Sequence, residues 1–167
     1  NVLLDGYGRV HLLDFGIATT DPSTRQHRGS AYGDGGGSLP YMSPEQARGV
    51  PGGPASDLYT LAVMLYEALT SQMPFPGPSH VQYAWQHMEV EPPPCALDVR
   101  HQRWLGERVG SVERALAVVI HKALRKPYHA RYECAEELRL DLALVSTQLP
   151  RQSGRRVMGG TAAGSAR

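Results

Sequence analysis

Residues 56–75 read SDLYTLAVMLYEALTSQMPF, and this stretch predicts the central element of the fold. Apolar residues recur in it at the spacing of an α-helix, and further apolar side chains fill the other faces. The residues at helical spacing are Leu58, Leu61, Ala62, Leu65 and Leu69. A helix that is apolar nearly all round is a buried one. We therefore expect a buried helix over 57–69, with Ser56 or Asp57 as its N-cap.

More helices are predicted downstream of this stretch. Residues 79–88 form a shorter helix, which a run of three prolines at 92–94 follows. Two apolar stripes predict two further helices. Their residues are Leu116, Val119, Ile120, Ala123 and Leu124 in the first, and Ala135, Leu138, Leu142, Val145 and Leu149 in the second. Glu136 and Glu137 suit the first turn of the last helix, whereas Cys134 would be a weak N-cap.

The upstream part of the chain has a different pattern. Two short apolar runs, 1–5 and 9–13, flank Gly6-Tyr7-Gly8 and predict a β-hairpin. Residues 19–39 are mostly Asp, Pro, Ser, Thr, Arg and Gly, and they predict a long loop of the kind that usually carries function. At the other end, residues 150–167 have no periodicity, so we expect a disordered tail there.

Composition excludes several classes of function. Lys and Arg number 17 against 16 Asp and Glu, so charge does not suggest a nucleic-acid partner. No apolar run approaches the ~18 residues that span a bilayer, and we expect no membrane segment in this chain. The two cysteines, Cys95 and Cys134, have no partner motif and predict reduced thiols in a cytosolic protein. The seven histidines are scattered, which argues against an imidazole metal site.

Two oxygen-bearing side chains flank the predicted hairpin. Asn1 precedes its first strand and Asp14 follows its second. Because a hairpin brings its two ends together, both side chains could reach one ion. Magnesium prefers oxygen ligands, so an amide oxygen and a carboxylate form a plausible partial set when phosphates supply the rest.

The order of these motifs resembles a known family. Asn1 is followed by Asp14-Phe15-Gly16, by Ser43-Pro44-Glu45 within GSLPYMSPEQARG (37–49), and by Asp57 at the start of the buried helix. Together they resemble the C-terminal half of a protein kinase domain, in particular the bacterial, eukaryotic-like serine/threonine kinases. The resemblance covers residues 1–149 and implies a partial kinase domain, followed by the tail at 150–167.

The resemblance also implies a fold. It is mainly α: a protein-kinase C-lobe, in which a helical bundle surrounds a buried central helix. A short N-terminal β-hairpin and a long activation-type loop complete it.

The resemblance implies a role for each matching residue. Asp14 would hold the magnesium that bridges the phosphates of ATP, and Asn1 would hold a second one. Leu3 would form part of the floor under the adenine ring. Ser38 would lie beside the substrate and favour hydroxyl groups as acceptors.

Other matching residues would be structural, and loop hydroxyls would be candidate phosphorylation sites. The structural residues are Phe15, Gly16, Glu45, Asp57 and Arg131. Glu45 would pair with Arg131, because an unpaired buried carboxylate is costly. The candidate phosphorylation sites are Thr19, Thr20, Ser23, Thr24 and Ser30.

Parts of the kinase machinery are missing from these 167 residues. They contain no Gly-rich loop, no strand lysine paired with a helix glutamate, and no catalytic Asp ahead of Asn1. We therefore expect a fragment that is inactive alone.

Three functions stay open at this point. The first is the C-lobe of a cytoplasmic serine/threonine kinase that is competent only when joined to its missing half, uses ATP and Mg²⁺ and acts on a protein substrate. The second is a non-catalytic kinase-like binding or regulatory module that docks a partner or another kinase. The third is a decayed remnant.

Overall fold

The computed structural model describes residues 1–13 and 39–150. The predicted activation-type loop and the tail after Pro150 lie outside these residues.

The N-terminal residues form the predicted hairpin. Strands β1 (Val2–Leu4) and β2 (Val10–Leu12) are antiparallel, and Leu3 lies opposite His11. The carboxylate of Asp5 accepts hydrogen bonds from the backbone N–H groups of Tyr7 and Arg9, each at 2.9 Å, and so closes the turn. Hydrogen bonding, first of all with the His11 ring, lowers the pKa of Asp5 to about 2. Both strands are exposed on both faces.

Six α-helices follow in the described part of the chain. They are α1 (Pro44–Ala47), α2 (Pro54–Thr70), α3 (His80–Glu89), α4 (Val99–Leu105), α5 (Val109–Ala123) and α6 (Ala135–Ser146). Short 3₁₀ turns lie at Leu39–Tyr41, Gly106–Arg108 and Tyr128–Ala130. None of these helices is long and apolar enough to cross a membrane.

The central helix α2 begins earlier than its sequence indicates. Its N-cap is Gly53, so the expectation of an N-cap at Ser56 or Asp57 is wrong by at least three residues. Pro54 fits the first helical position because the N–H there has no intrahelical partner. Ser56 lies in the first turn instead, where its Oγ accepts the Gly53 N–H at 3.0 Å.

The buried face of α2 is also rotated from the predicted stripe. Tyr59 and Val63 are fully buried, whereas Leu61, which the stripe includes, is 39% exposed. Periodicity identifies a helix but does not decide which of several apolar faces its neighbours cover. Here α5 packs against α2, the His87 ring of α3 contacts Tyr59, and one core joins α2, α5 and α6.

The last two helices match their predicted stripes with small differences. In α5, Val119, Ile120 and Ala123 are buried, and Leu124 is buried immediately after the helix. Helix α6 ends at Ser146, so Leu149 packs on the core from beyond the helix end.

The N-caps of α6 and α4 differ in strength. Cys134 is the N-cap of α6 but makes no side-chain hydrogen bond there, as expected of a thiol. Asp98 is a strong N-cap for α4, a helix that the sequence did not indicate, and accepts the N–H groups of Arg100 and His101 at 3.0 Å each.

Candidate functional site

Residues 39–47, here called the SPE segment, present the Ser43-Pro44-Glu45 sequence at the start of a short helix, α1, that has a capping box. The backbone N–H of Ser43 donates to Gln46 Oε1 at 2.9 Å, and the Gln46 N–H donates to Ser43 Oγ at 3.4 Å. This reciprocal pair is a capping box, and Pro44 occupies the first helical position. Local sequence therefore sets the direction in which Glu45 points.

Glu45 forms a two-pronged ion pair with Arg131, 86 residues further along the chain. Arg131 Nη1 and Nη2 each donate to one Glu45 oxygen, both at 2.8 Å. The Arg131 side chain is fully buried, and that of Glu45 is 17% exposed. The pairing that the sequence resemblance implies is thus present.

The remaining donors of Arg131 bind backbone carbonyls. Nε donates to Arg125 O at 2.7 Å, Nη1 to Ala55 O at 3.1 Å and Nη2 to Lys126 O at 2.9 Å. With the two bonds to Glu45, these bonds use all five N–H groups that a guanidinium has. The Arg131 side chain therefore joins the SPE segment, the start of α2 and the loop after α5.

The ionised form of Glu45 is strongly favoured. Burial alone would raise its pKa, but hydrogen bonds from Arg131 and from Ser56 Oγ, the latter at 2.6 Å, outweigh burial and lower the pKa to about 2. Two partners on different elements thus hold one carboxylate.

This pKa shift predicts a pH dependence of stability. A carboxyl group with a lowered folded-state pKa stabilises the fold above its unfolded value, near 4.5, and loses that contribution as the pH falls toward 2. We expect at most about 3 kcal/mol of unfolding free energy to disappear over this window, less as far as water reaches the carboxylate. Urea unfolding measured between pH 6 and pH 2.5 checks this. Glu45→Gln should flatten the curve, and an equally steep curve in that variant would contradict the assignment.

Helix α2 holds the SPE segment through Tyr41. Tyr41 Oη donates to Glu67 Oε2 at 2.7 Å, and Thr60 Oγ1 donates to the Tyr41 carbonyl at 2.8 Å. The hydrogen bond to Glu67, with burial and the Glu67 charge, raises the pKa of Tyr41 to about 12. Tyr41 is therefore a fixed donor at neutral pH.

Helix α3 covers the other side of the SPE segment. A small apolar cluster joins α1 to α3, and a buried histidine of α3 contacts the SPE backbone. The cluster consists of Met42, Ala47 and Ala84, with Leu39 and Met88 packed against them.

The sequence assigns further residues to ATP, magnesium, substrate or phosphorylation. Some of them lie within the described residues and others do not. Leu13 N donates to the Asn1 carbonyl at 2.7 Å, so the backbone immediately before Asp14 lies beside Asn1. Leu3 is on β1 and half exposed. Asp57 lies in the first turn of α2. The other indicated residues, Asp14, Phe15, Gly16, Thr19, Thr20, Ser23, Thr24, Ser30 and Ser38, lie outside the described residues.

The donor set fits a magnesium ion chemically. An asparagine amide and an aspartate carboxylate both offer oxygen, which Mg²⁺ prefers. The hairpin places the ends of their two strands side by side. Elsewhere in the described residues, no group of three or more His, Cys, Asp or Glu side chains could hold a metal ion.

Three supporting residues were missed or misassigned from the sequence. Ser56 was expected to cap α2 and instead donates to Glu45. The sequence does not identify Tyr41 or His87. The Ser-x-x-Gln spacing at 43–46 indicates the capping box beside Tyr41, but it does not indicate the hydrogen bonds of Tyr41 itself. For His87 no local signal existed, because its partners lie on other elements.

Comparison with known proteins places this arrangement in context. Residues 1–141 match the family model of the protein kinase domain. Over 143 residues the chain is 38% identical to the serine/threonine-protein kinase PrkC of Bacillus subtilis (strain 168), covering 85% of this chain and 20% of that protein.

Two further relatives show the same pattern. Over 153 residues the chain is 37% identical to the serine/threonine-protein kinase PknB of Mycobacterium tuberculosis (strain ATCC 25618 / H37Rv), covering 90% of this chain and 22% of that protein. Over 152 residues it is 36% identical to the probable serine/threonine-protein kinase PknB of Lactococcus lactis subsp. lactis (strain IL1403), covering 91% and 22%. The chain therefore spans about a fifth of the length of these relatives.

Proposed function

Because this chain belongs to the protein kinase domain family, of the bacterial serine/threonine type, we propose that it forms the C-lobe of an enzyme that phosphorylates protein Ser and Thr hydroxyls with ATP. The observation that carries the proposal is the buried, two-pronged pair between Glu45 and Arg131. It anchors the SPE segment to the helical base at the position where a kinase domain ends its activation loop. The domain assignment 1–149 is part of the same proposal.

The proposed roles follow the matching residues. Asp14 and Asn1 would hold the magnesium ions, and Leu3 would contact the adenine ring. Magnesium supplies charge neutralisation for the phosphates when it is bound with ATP. Ser38, next to the SPE segment in the chain, would face the acceptor hydroxyl. Phe15 and Gly16 would be structural, with Phe15 as a stacked aromatic.

The SPE segment itself does no chemistry in this proposal. Its function is to hold the chain that continues from Ser38 in one conformation. Three elements contribute: Glu45 is tied to Arg131, Tyr41 to α2, and the apolar side of α1 to α3. Holding a substrate-side group in the geometry of the reaction is a substantial part of phosphoryl-transfer catalysis.

The proposal includes a cytoplasmic location, which two free thiols at Cys95 and Cys134 suit. Contact with a second kinase, which belongs to the alternative of a binding or regulatory module, stays a prediction.

A chimera tests the proposed function. In the chimera, the stretch of the Bacillus subtilis relative that precedes the position matching Asn1 is joined to residues 1–149 of this chain. The joined chain then contains a complete kinase domain. We expect Mg²⁺-dependent transfer of phosphate from ATP to Ser and Thr of a generic protein substrate. Asp14→Ala in the same chimera should lower the rate by about 10³-fold, because the metal-holding carboxylate is lost.

The control is cooperative thermal unfolding of the chimera, with the complete kinase domain of the relative assayed in parallel. A chimera that unfolds cooperatively but transfers no phosphate contradicts the proposal. That result would favour the non-catalytic binding module.

A further inference from the structure

His87 is a fully buried histidine that joins three elements. It lies on α3 and has no exposed surface. Its Nδ1 is 2.9 Å from the hydroxyl of Tyr59 on α2, and its Nε2 is 3.1 Å from the carbonyl oxygen of Pro40 in the SPE segment. Its ring packs edge-on against Phe75, with centroids 4.9 Å apart.

The two partners of His87 determine where its proton lies. A carbonyl oxygen can only accept, so Nε2 carries the hydrogen and donates to Pro40. Nδ1 is then an acceptor, and the Tyr59 hydroxyl donates to it. Burial raises the pKa of Tyr59 well above its usual value, so this hydroxyl keeps its proton. A neutral imidazole with Nε2–H satisfies all these groups at once.

The surroundings keep the imidazole neutral. Burial and the nearby charge of Lys126, in the loop after α5, lower the pKa of His87 to about 4, although the bond to Pro40 acts in the opposite direction. Lys126 Nζ lies over the Phe75 ring at 4.0 Å from its centroid. Among the described residues no carboxylate lies within ion-pair distance of His87, and the polar groups that face it are those of Tyr59, Lys126 and Pro40.

The hydrogen bond from His87 restrains the backbone at Pro40. A proline has no N–H, so the carbonyl is its only backbone hydrogen-bonding group. On one side of Pro40 the chain leads to Ser38. On the other side, α2 already holds Tyr41 through Thr60. The His87 bond is the matching restraint from α3.

We propose that His87 is a positioning residue, whose Nε2–H fixes the Pro40 carbonyl and thereby the path of residues 39–43 into α1. The importance of this position for substrate rests on the proposed kinase function, whereas the restraint itself does not. In this arrangement the hydrogen bond from His87 adds a directional restraint to the apolar packing of α3 on the SPE segment.

Two matched variants distinguish the hydrogen bond to Pro40 from the contribution of the buried His87 side chain to core packing. In His87→Gln, the side-chain amide nitrogen reaches the place of Nε2 and can still donate to Pro40. In His87→Asn, the side-chain oxygen replaces Nδ1 and can accept from Tyr59, but nothing reaches Pro40. The two variants bury similar polar groups and differ in the bond that they keep.

Hydrogen exchange of the Met42 amide, measured on the 167-residue chain, is the readout. This amide donates to the Leu39 carbonyl across Pro40. We expect exchange at least about tenfold faster in His87→Asn and within about threefold of the parent rate in His87→Gln, because the part-buried Pro40 carbonyl loses its donor only in the former. Amides of α5 serve as the internal control. Equal acceleration in both variants overturns the proposal.

A second measurement does not depend on either variant folding. The ¹⁵N shifts of the His87 ring in the parent chain should show a single Nε2–H tautomer that is unchanged from pH 5.5 to 8. In Tyr59→Phe, which leaves the Pro40 bond intact, Met42 exchange should stay near the parent rate. An Nδ1–H tautomer or a titration near pH 6.5 overturns the proposal. Neither measurement requires phosphate transfer, so failure of the kinase proposal is detected separately by the chimera.

Discussion

Arg131→Ala is expected to lower the free energy of unfolding by about 3–5 kcal/mol, the range for removing one partner of a fully buried ion pair, and by less as far as water reaches the Glu45 side chain, which is 17% exposed. The substitution leaves the Glu45 carboxylate largely buried, with Ser56 as its remaining side-chain hydrogen-bond donor among the described residues. It also removes the donor to three backbone carbonyls, those of Arg125, Ala55 and Lys126. Urea unfolding at pH 7, followed by far-ultraviolet circular dichroism, measures the change.

The chain offers a matched control for this prediction on α6. Arg139 also pairs with a glutamate, Glu136, through Nε at 2.7 Å and Nη2 at 2.6 Å. Both of these side chains are more than 60% exposed, so water already solvates their charges. Arg139→Ala should therefore change stability little. Similar losses in the Arg131→Ala and Arg139→Ala variants would show that burial of the Glu45 pair is not what stabilises the SPE segment.

A double substitution refines the first prediction. Glu45→Gln combined with Arg131→Met removes both charges, so neither is left unpaired in the interior. We expect the double variant to lose less stability than the sum of its two single variants. Additive losses would mean that the two residues do not act as a pair.

A polypeptide of these 167 residues is expected to transfer phosphate from ATP at a rate at least about 10³-fold below that of a complete kinase domain. Its sequence contains no Gly-rich loop, no phosphate-positioning lysine and no catalytic Asp ahead of Asn1. Each of these groups stabilises charge or positions a reactant in the transition state, and the loss of one such group costs orders of magnitude in rate.

Labelled ATP and a generic basic protein substrate provide the assay for this second prediction. The matched control is the same polypeptide with Asp14→Ala, purified in parallel, which sets the background from contaminating kinases. Incorporation above that background would show that these residues catalyse the reaction without the missing groups. The chimera described above is the positive counterpart, since it supplies those groups to the same residues.

The hairpin and the helices could be predicted because their signals are local. The apolar runs around Gly6-Tyr7-Gly8 produce β1 and β2, and the 3.6-residue repeats produce α2, α5 and α6. The site could be predicted only in part. The pairing of Glu45 with Arg131 followed from a resemblance between ordered motifs, and no local pattern in either segment indicates it.

What the sequence by itself determined is the hairpin, the order of α2, α3, α5 and α6, the capping box at Ser43 and Gln46, and the proximity of Asn1 to the end of β2. Each of these features depends on hydrogen bonds between residues close in the chain or on the helical or strand periodicity of the side chains. Only the tertiary structure decided that Tyr59 rather than Leu61 faces the core, and that His87 is buried against Pro40. Burial and hydrogen-bond partners at those positions depend on how separate helices pack. A polar side chain such as that of His87 enters the interior only where distant elements supply both of its partners.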